Sequence, residues 1–215
     1  MDGGSLPGLD AREGERLRPD LALFDFDGTI TMRETYGDFL HAVVPARRLA
    51  VGKVVLAPLV AGYRLGLVRG TVVRACIAWF ALRGLALADV EARAERFARE
   101  VLPPLVRPNA LERIDWHRER GDTVVVVSGN FCLALAPWCE RQGLELIASN
   151  LECRGGVLTG RYRGGQCVGE EKPRRVRAVQ DLACFSQIHA YGDTAEDMAL
   201  LAMAHRRTYC WQPCD

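Results

Sequence analysis

The sequence lacks any apolar run long enough to cross a membrane as a helix. Its longest uncharged apolar stretch, VVLAPLVAGY at residues 54–63, has ten residues, whereas a membrane helix needs about 20. Pro58 interrupts this stretch, and Lys53 and Arg64 bound it. We therefore expect no membrane span. The stretch is predicted to be a buried helix, and an apolar surface that contacts lipid or an apolar substrate is the alternative.

Clustered positive charge and closely spaced cysteines are also missing. Lys and Arg total 28 against 27 Asp and Glu, a net charge of +1, and the arginines are spread along the chain. This balance argues against nucleic acid as a partner. The eight cysteines form no C-x-x-C pair, and residues 1–20 contain no apolar segment of the kind found in signal peptides. We expect a cytoplasmic protein with reduced thiols and a flexible N-terminal tail at residues 1–18.

From about residue 108 onward, strand and helix patterns alternate along the chain. The clearest strand, DTVVVV at residues 122–127, is apolar on both faces, as in a central parallel strand. The alternation predicts an α/β fold with a parallel sheet. The predicted strands are residues 21–26, 122–127, 144–148, 187–191 and 207–210, and the predicted helices of this part are residues 109–120, 132–142, 173–182 and 195–204.

Residues 31–105 break the alternation because they have helical patterns almost throughout. We therefore expect a core domain of residues 19–30 and 106–215, with a helical cap domain of residues 31–105 inserted after the first strand. Gly155-Gly156, flanked by residues that favour extended structure, predicts a small β-hairpin at residues 151–163. The predicted helices of the insert are residues 36–44, 46–65, 71–82 and 87–100.

Polar residues end three of the predicted strands. Asp25 and Asp27 lie at the end of the first, Ser128 follows VVVV, and Asp193 follows the strand at residues 187–191. Ligands of open α/β sheets bind at the carboxyl ends of the strands. We expect these side chains to meet at one sheet edge, within reach of Lys172.

These residue types are typical of phosphoryl-transfer chemistry. Carboxylates such as those of Asp25 and Asp193 are suitable ligands for Mg²⁺. A nearby cation favours ionised Asp25, which can attack phosphorus and form an aspartyl-phosphate. Asp27 is expected to give a proton to the leaving oxygen and later to take one from water.

A second group of residues is predicted to bind phosphate oxygens. The Ser128 hydroxyl and the backbone amides around Gly129 and Asn130 are hydrogen-bond donors, and Lys172 would neutralise the charge. We also expect Asn130 to cap the helix that follows it. Pro173 is expected either to hold Lys172 in extended geometry or to begin the next helix.

Four segments together resemble the haloacid dehalogenase superfamily in its phosphatase branch. They are FDFDGT, VVVVSGN, GEEKPRRV and YGDTAEDMALL, in that order over about residues 20–210. The helical insert after the first segment resembles the cap of the phosphoserine-phosphatase-like subgroup. The resemblance implies a Rossmann-like core and a phosphatase activity, with Asp25 as nucleophile and Asp27 as acid and base.

The resemblance also implies the remaining site residues. Mg²⁺ would be held by the Asp25 side chain, the Asp27 backbone carbonyl and Asp193. Ser128 and Lys172 would bind the phosphate, and Asp197 would support Lys172 or the waters of the metal.

The same resemblance suggests two substrate classes. Glu34 stands nine residues after Asp25, where phosphoserine phosphatases carry a Glu that meets the substrate amine. This match favours a small phosphorylated metabolite such as phosphoserine. Glu196, however, stands where those enzymes carry an Asn, and the stretch at residues 54–63 is similar to bacterial phosphatidylglycerophosphate phosphatases and related cell-cycle-associated phosphatases. A lipid-phosphate phosphatase is therefore the alternative, followed by a phosphoryl transferase and a non-catalytic phosphate binder; the oligomeric state stays open.

Overall fold

A six-stranded sheet forms the centre of the computed structural model, which describes residues 18–214. Its strands are β1 (Leu21–Phe24), β2 (Thr123–Phe131), β3 (Glu145–Ser149), β6 (Ile188–Gly192), β7 (Arg206–Tyr209) and β8 (Gln212–Cys214). Their order in the sheet is β3-β2-β1-β6-β7-β8, with every neighbouring pair parallel except β7 and β8. This arrangement confirms the predicted α/β fold with a parallel sheet.

Strand β1 lies between β2 and β6, and all four of its residues are apolar and fully buried. Leu21 pairs with Thr123 on one side and with Ile188 on the other. Parallel strands with both faces covered have this continuous apolar character. The strand ends at Phe24, two residues before the predicted end, so Asp25 begins the loop at the carboxyl edge of the sheet.

Among residues 18–214, six α-helices lie between β1 and β2, and three follow β2. The predicted helix at residues 87–100 is confirmed, but the predicted helix at residues 46–65 is two helices that break at Leu56, because Pro58 lies in the first turn of the second. The predicted helix at 195–204 begins as a short 3₁₀ turn, Ala195–Asp197. The helices are α1 (Tyr36–Val43), α2 (Ala46–Val55), α3 (Ala57–Arg64), α4 (Gly70–Leu82), α5 (Leu87–Glu100), α6 (Pro108–Glu119), α7 (Cys132–Gln142), α8 (Glu171–Val179) and α9 (Met198–Ala202).

The helical insert shares an apolar core with one face of the sheet. Phe39 of α1 and Phe97 of α5 stack edge to face with ring centroids 5.5 Å apart, and Phe39 also contacts Phe131 at the end of β2. The division of the chain into cap and core domains stays a prediction. Of the predicted tail at residues 1–18, all but Arg18 lies outside the described residues; the Arg18 guanidinium donates to the Ala183 carbonyl at 2.8 Å.

The predicted hairpin is present as a separate two-stranded sheet, β4 (Leu151–Arg154) and β5 (Val157–Tyr162). Gly155 and Gly156 connect them with φ of +57° and +76°. Two consecutive positive φ angles are the geometry of tight hairpin turns, and glycine adopts them without a steric penalty. Among residues 18–214, none of the helices is both long and apolar enough to span a bilayer.

Candidate active site

The loop after β1 brings the first and fourth sequence segments into contact. Phe26–Ile30 form one tight turn in which Gly28 has φ of +84°. A Cβ atom at Gly28 would lie 2.1 Å from Oδ2 of Asp193. Only glycine satisfies both the backbone angle and this close approach. The D-x-D-G pattern therefore places Asp193 directly against the loop that carries Asp25.

Lys172 joins two buried carboxylates beneath this loop. Its Nζ donates to Oδ1 of Asp25 and to Oδ1 of Asp197, both at 2.5 Å. The exposed fractions are 2% for Lys172, 5% for Asp25 and 1% for Asp197. Buried charges persist only where they are paired and hydrogen-bonded, so this triad depends on all three members.

One ammonium group cannot neutralise two buried carboxylates, and the direction of the pKa shifts reflects this. Burial raises the pKa of Asp25 well above its usual value, against the opposing charge of Lys172, and the negative charge of Asp197 raises it further. Burial acts in the same direction on Asp197, but the charge and hydrogen bond of Lys172 and the hydrogen bonds from Thr194 together outweigh it, and the pKa of Asp197 is lowered. Asp197 is therefore the ionised partner of Lys172, and Asp25 would be ionised by an additional cation.

Asp27 is held by a separate set of hydrogen bonds. Its Oδ1 accepts from the Thr35 backbone N–H at 2.7 Å and from the Thr35 hydroxyl at 2.5 Å, and its Oδ2 accepts from Nδ2 of Asn130 at 2.8 Å. Burial raises the pKa of Asp27 although these donors oppose the shift. The carboxyl group is thus fixed in orientation and biased toward its protonated form.

Asn130 does not cap helix α7 as predicted. The residue before α7 is Phe131, which has no side-chain cap, and the Asn130 amide binds Asp27 and the Thr35 hydroxyl instead. The reason is that β2 continues to Phe131 with a register shift between Ser128 and Phe131. Asn130 consequently belongs to the strand end and faces the loop after β1.

Ser128 and Gly129 lie at this irregular strand end, beside the acidic residues. Ser128 is 1% exposed, and its Oγ accepts from the Asn130 N–H at 3.1 Å. Eight of the nine predicted site residues line one small cavity of about 30 Å³. They are Asp25, Asp27, Glu34, Ser128, Gly129, Asn130, Lys172 and Asp197.

Asp193, the ninth, lies beside this cavity with the other candidate metal ligands. Oxygens of Asp25, Asp193 and Asp197 lie within 4.8 Å of one another. Oδ1 of Asp193 accepts from the Thr29 hydroxyl at 2.8 Å. Asp197 is the least available of the three carboxylates: its Oδ1 binds Lys172, and its Oδ2 accepts from the Thr194 N–H and hydroxyl, both at 2.9 Å.

Lys172 is helical, so the prediction of extended geometry before Pro173 is wrong. Helix α8 begins at Glu171, and Pro173 lies in its first turn, where a missing N–H leaves no helical hydrogen bond unmade. The first turn therefore carries Lys172 to the sheet edge as a nearly rigid part of the helix.

Helix α4 supplies an arginine that the sequence reasoning did not single out. Arg74 lines the cavity and donates to Oε2 of Glu196 at 2.9 Å. Glu34 lines the same cavity, and its pKa is raised to about 7, first by burial of the carboxyl group and then by the charge of Asp27, with Arg74 opposing. The residue as a whole remains solvent-exposed. The mouth of the cavity thus combines two acids and one cation.

The order and contents of these four segments match a known protein family. The haloacid dehalogenase-like hydrolases match residues 22–202. This chain belongs to that family. The prediction of a haloacid dehalogenase superfamily enzyme is therefore confirmed, and the spacing of the four segments is the pattern that carried it.

A curated relative and a solved structure are similar to this haloacid dehalogenase-like hydrolase over most of its length. Protein CicA of Caulobacter vibrioides is 33% identical over 195 residues, which are 89% of this chain and 86% of CicA. A structure of a protein of unknown function from Bordetella pertussis Tohama I is 26% identical with a TM-score of 0.77, covering 89% of each chain.

Phosphoserine phosphatases share the fold as well. A phospho-aspartyl intermediate analogue of phosphoserine phosphatase is 25% identical with a TM-score of 0.64, covering 91% of this chain and 88% of the other. A substrate-bound phosphoserine phosphatase has a TM-score of 0.65 at 24% identity, which shows the fold alone. The predictions of the phosphoserine-phosphatase-like subgroup and of a phosphatase enzyme are confirmed.

Two site residues of this hydrolase, Thr35 and Thr29, were missed by the sequence reasoning, and Arg74 could not be chosen from among the arginines of the insert. Thr35 and Thr29 bind Asp27 and Asp193 through hydroxyl groups, and their closeness to Asp27 in sequence was the available signal. Arg74 had no such signal, because arginines are abundant along the whole chain.

Proposed function

We propose that this protein is a Mg²⁺-dependent phosphomonoester hydrolase that works through an aspartyl-phosphate on Asp25. The observation that carries the proposal is the 2.5 Å contact between Lys172 and Asp25. Asp193 and Asp197 lie close to Asp25, so carboxylates outnumber cations at this point of the site. A buried nucleophilic carboxylate, a neutralising lysine and a polar cavity beside them are the parts that phosphoryl transfer requires.

The residues present fit a magnesium ion. The donors are carboxylate oxygens, the ligands that Mg²⁺ prefers, and Gly28 leaves the space beside Asp193 that a Cβ atom would fill. The Asp25 and Asp193 side chains and the Asp27 backbone carbonyl would hold the ion, whereas the oxygens of Asp197 are engaged with Lys172 and Thr194. When bound, Mg²⁺ would neutralise negative charge on the phosphate and on Asp25.

The protein residues carry the two steps. The Asp25 carboxylate attacks phosphorus, the bond between phosphorus and the ester oxygen breaks, and the Asp27 carboxyl group gives its proton to that oxygen. Asp27 then takes a proton from water as the water attacks the phosphorus of phospho-Asp25, which releases inorganic phosphate. The raised pKa of Asp27 favours the protonated form that the first step needs.

Three groups around the phosphate would orient it. Lys172, the Ser128 hydroxyl and the Gly129 N–H are donors at the cavity wall, and Asp197 holds Lys172 in place. Thr35 and Asn130 keep the Asp27 carboxyl group aimed at the cavity. Preorganised donors of this kind account for much of enzymatic rate enhancement.

We propose a small phosphorylated metabolite such as phosphoserine as the substrate, since Glu34 provides a carboxylate for an amine at the cavity mouth. A lipid-phosphate monoester is the second candidate. Arg74 is already paired with Glu196 at 2.9 Å, which reduces its attraction for a substrate carboxylate. An apolar groove of about 650 Å³ is lined in part by Ile77 and Phe80 of the same helix. A cytoplasmic location is consistent with the eight free thiols of the described residues.

Turnover of phosphate esters by purified protein tests the proposal. With Mg²⁺ present, Asp25→Asn should abolish turnover while far-UV circular dichroism stays unchanged, and Asp89→Asn, at an exposed position on α5, should retain full activity. Chelation of Mg²⁺ should stop the reaction, and Ca²⁺ should restore it poorly because its coordination is larger and looser. Undiminished activity of Asp25→Asn would disprove the mechanism.

The substrate candidates are separated by a second measurement. Turnover of phosphoserine should exceed turnover of phosphatidylglycerophosphate in detergent if the first candidate is right, and Glu34→Gln should then raise KM for phosphoserine. The opposite ranking would favour the lipid phosphate. An added alcohol acceptor distinguishes hydrolysis from transfer, since a transferase would produce a new phosphate ester.

A further inference from the structure

Helices α2 and α3, separated only by Leu56, form one kinked segment at residues 46–64, the α2–α3 segment, which buries little of its surface. Helix α2 buries only Gly52, and no residue of α3 is buried, although both helices are rich in Val, Leu and Ala. Thirteen large hydrophobic side chains are exposed among residues 18–214, and eight of them lie within residues 51–79. These eight are Val51, Val54, Val55, Tyr63, Leu65, Leu67, Val72 and Trp79. Monomeric soluble proteins rarely expose contiguous apolar surface of this kind.

Every charged residue between positions 39 and 88, a range that includes the α2–α3 segment, is a cation. This range contains seven Lys and Arg residues and no Asp or Glu, although the whole chain is nearly neutral. Four of these cations are exposed and form no ion pair with any residue of 18–214; the remaining three bind backbone carbonyls, a carboxylate or an aromatic ring. The four exposed cations are Arg47, Lys53, Arg64 and Arg69.

A groove of about 650 Å³ runs between the α2–α3 segment and helices α1 and α4 of the insert. Its floor is apolar, with Leu40, Leu49, Leu56, Ile77 and Phe80, and its rim includes Lys53 and Arg64. The exposed apolar side chains, the apolar groove and the unpaired cations are therefore on one continuous part of the molecule.

We propose that the α2–α3 segment and the adjoining groove dock this protein on an anionic lipid bilayer. Interfacial protein segments bind by burying apolar side chains at the headgroup boundary and by attracting anionic lipids with Lys and Arg. The α2–α3 segment has both features and lacks the carboxylates that an anionic surface would repel. Its helices have ten and eight residues, so they lie in the interface and do not span it.

Charge also argues against a second copy of the chain as the occupant. A two-fold dimer on this face would bring the same four exposed cations of each copy together without any carboxylate from residues 39–88 to pair with them. Like charges brought together in an interface are unfavourable. An anionic bilayer satisfies the apolar surface and the cations at once.

Helix α4 contributes residues both to the proposed docking surface and to the active-site cavity. Arg74 of α4 lines the cavity that contains Asp25, whereas Ile77 and Phe80 of the same helix line the groove. The surface would hold the enzyme beside membrane-borne phosphate esters if these are the substrates. The docking itself is independent of the reaction, so it can fail while the proposed phosphatase activity holds.

Vesicle binding of the full chain tests the proposal. The protein should cosediment with vesicles of phosphatidylcholine mixed with an equal amount of phosphatidylglycerol and bind much more weakly to phosphatidylcholine alone. Substituting Arg47→Gln, Lys53→Gln and Arg64→Gln together should weaken binding about 100-fold at low salt, since each cation near the surface contributes roughly five-fold. Val54→Asp with Leu65→Asp should weaken it by about ten-fold or more.

Matched controls keep the result interpretable. Arg93→Gln, Arg96→Gln and Arg177→Gln remove three exposed cations elsewhere, and Val179→Asp changes an apolar side chain that is 65% exposed on α8; these variants should bind as the parent does. All variants should retain turnover of a soluble phosphate ester, which reports on folding. Absence of binding to the anionic vesicles, or equal loss in the controls, would overturn the proposal. The proposal would also be overturned if the variants of the α2–α3 segment had a lower molecular mass in analytical ultracentrifugation than the parent but bound vesicles equally well, because this result would indicate a protein interface.

Discussion

Replacing Lys172 by Met should destabilise the protein strongly at neutral pH and much less in acid. Met has a similar length but no charge, so Asp25 and Asp197 would lose the ammonium group that lies 2.5 Å from each. Removing one partner of a buried charge network typically costs about 3–5 kcal/mol. For a chain of this size, that loss corresponds to a decrease in Tm of roughly 6–20 °C.

The pH dependence identifies the cause. In the parent, the lowered pKa of Asp197 contributes stability above the pKa of the unfolded chain, which is lost as pH falls. Without Lys172, burial would raise the folded-state pKa of both carboxyl groups above their unfolded values near 4. The folded variant would then bind more protons than the unfolded chain, so its stability would decrease as pH rises. The difference between parent and variant should shrink toward pH ~4.

Urea unfolding across this pH range, with a chelator present, measures the effect. Lys53→Met is the matched control, since Lys53 is the other lysine of the chain and is exposed; it should change the free energy of unfolding by less than about 0.5 kcal/mol. Adding Asp25→Asn to Lys172→Met should recover part of the lost stability, because one carboxylate is removed. A loss below about 1 kcal/mol at neutral pH, or a loss that does not depend on pH, would refute the reasoning.

Two further predictions concern residues outside the lysine triad. Thr35→Val removes the hydroxyl donor to Asp27 while keeping the side-chain shape, and kcat should fall by about 10² with little change in KM; Thr71→Val, with a part-buried threonine of the insert, should leave kcat unchanged. The buried His117, hydrogen-bonded to Asp122 at 2.8 Å, has its pKa lowered by burial. Since the unfolded chain takes up this proton below pH ~6.5 and the folded chain resists it, the free energy of unfolding should decrease as pH falls below that value. His117→Gln should flatten this part of the curve in urea titrations, and an unchanged pH profile would contradict the assignment.

The parts of the fold that could be predicted are those in which neighbours in sequence decide the structure. The VVVV run of β2 is continuously apolar, the helix at Leu87–Glu100 has clear helical periodicity, and Gly155-Gly156 has turn chemistry. The end of β2 could not be predicted, because its continuation to Phe131 depends on pairing with Ser149 of β3 across a register shift. The role of Asn130 was misjudged for the same reason.

The candidate site was predictable where a strand end carries its own chemistry, as at Asp25, Asp27 and Asp193. The position of Arg74 was not, because helix α4 reaches the cavity only when the insert packs against the sheet. Its pairing with Glu196 joins residues 122 positions apart. No local pattern distinguishes this arginine from its neighbours.

The sequence by itself determined the order of the elements and the kinds of groups at the strand ends, because apolar periodicity and turn residues act over a few positions. Tertiary structure alone decided which of those groups touch. Lys172 meets a carboxylate 147 residues away, and most residues of the α2–α3 segment are left exposed. Both outcomes depend on how distant segments fill space around the sheet, and contacts of that range have no signature in the local sequence.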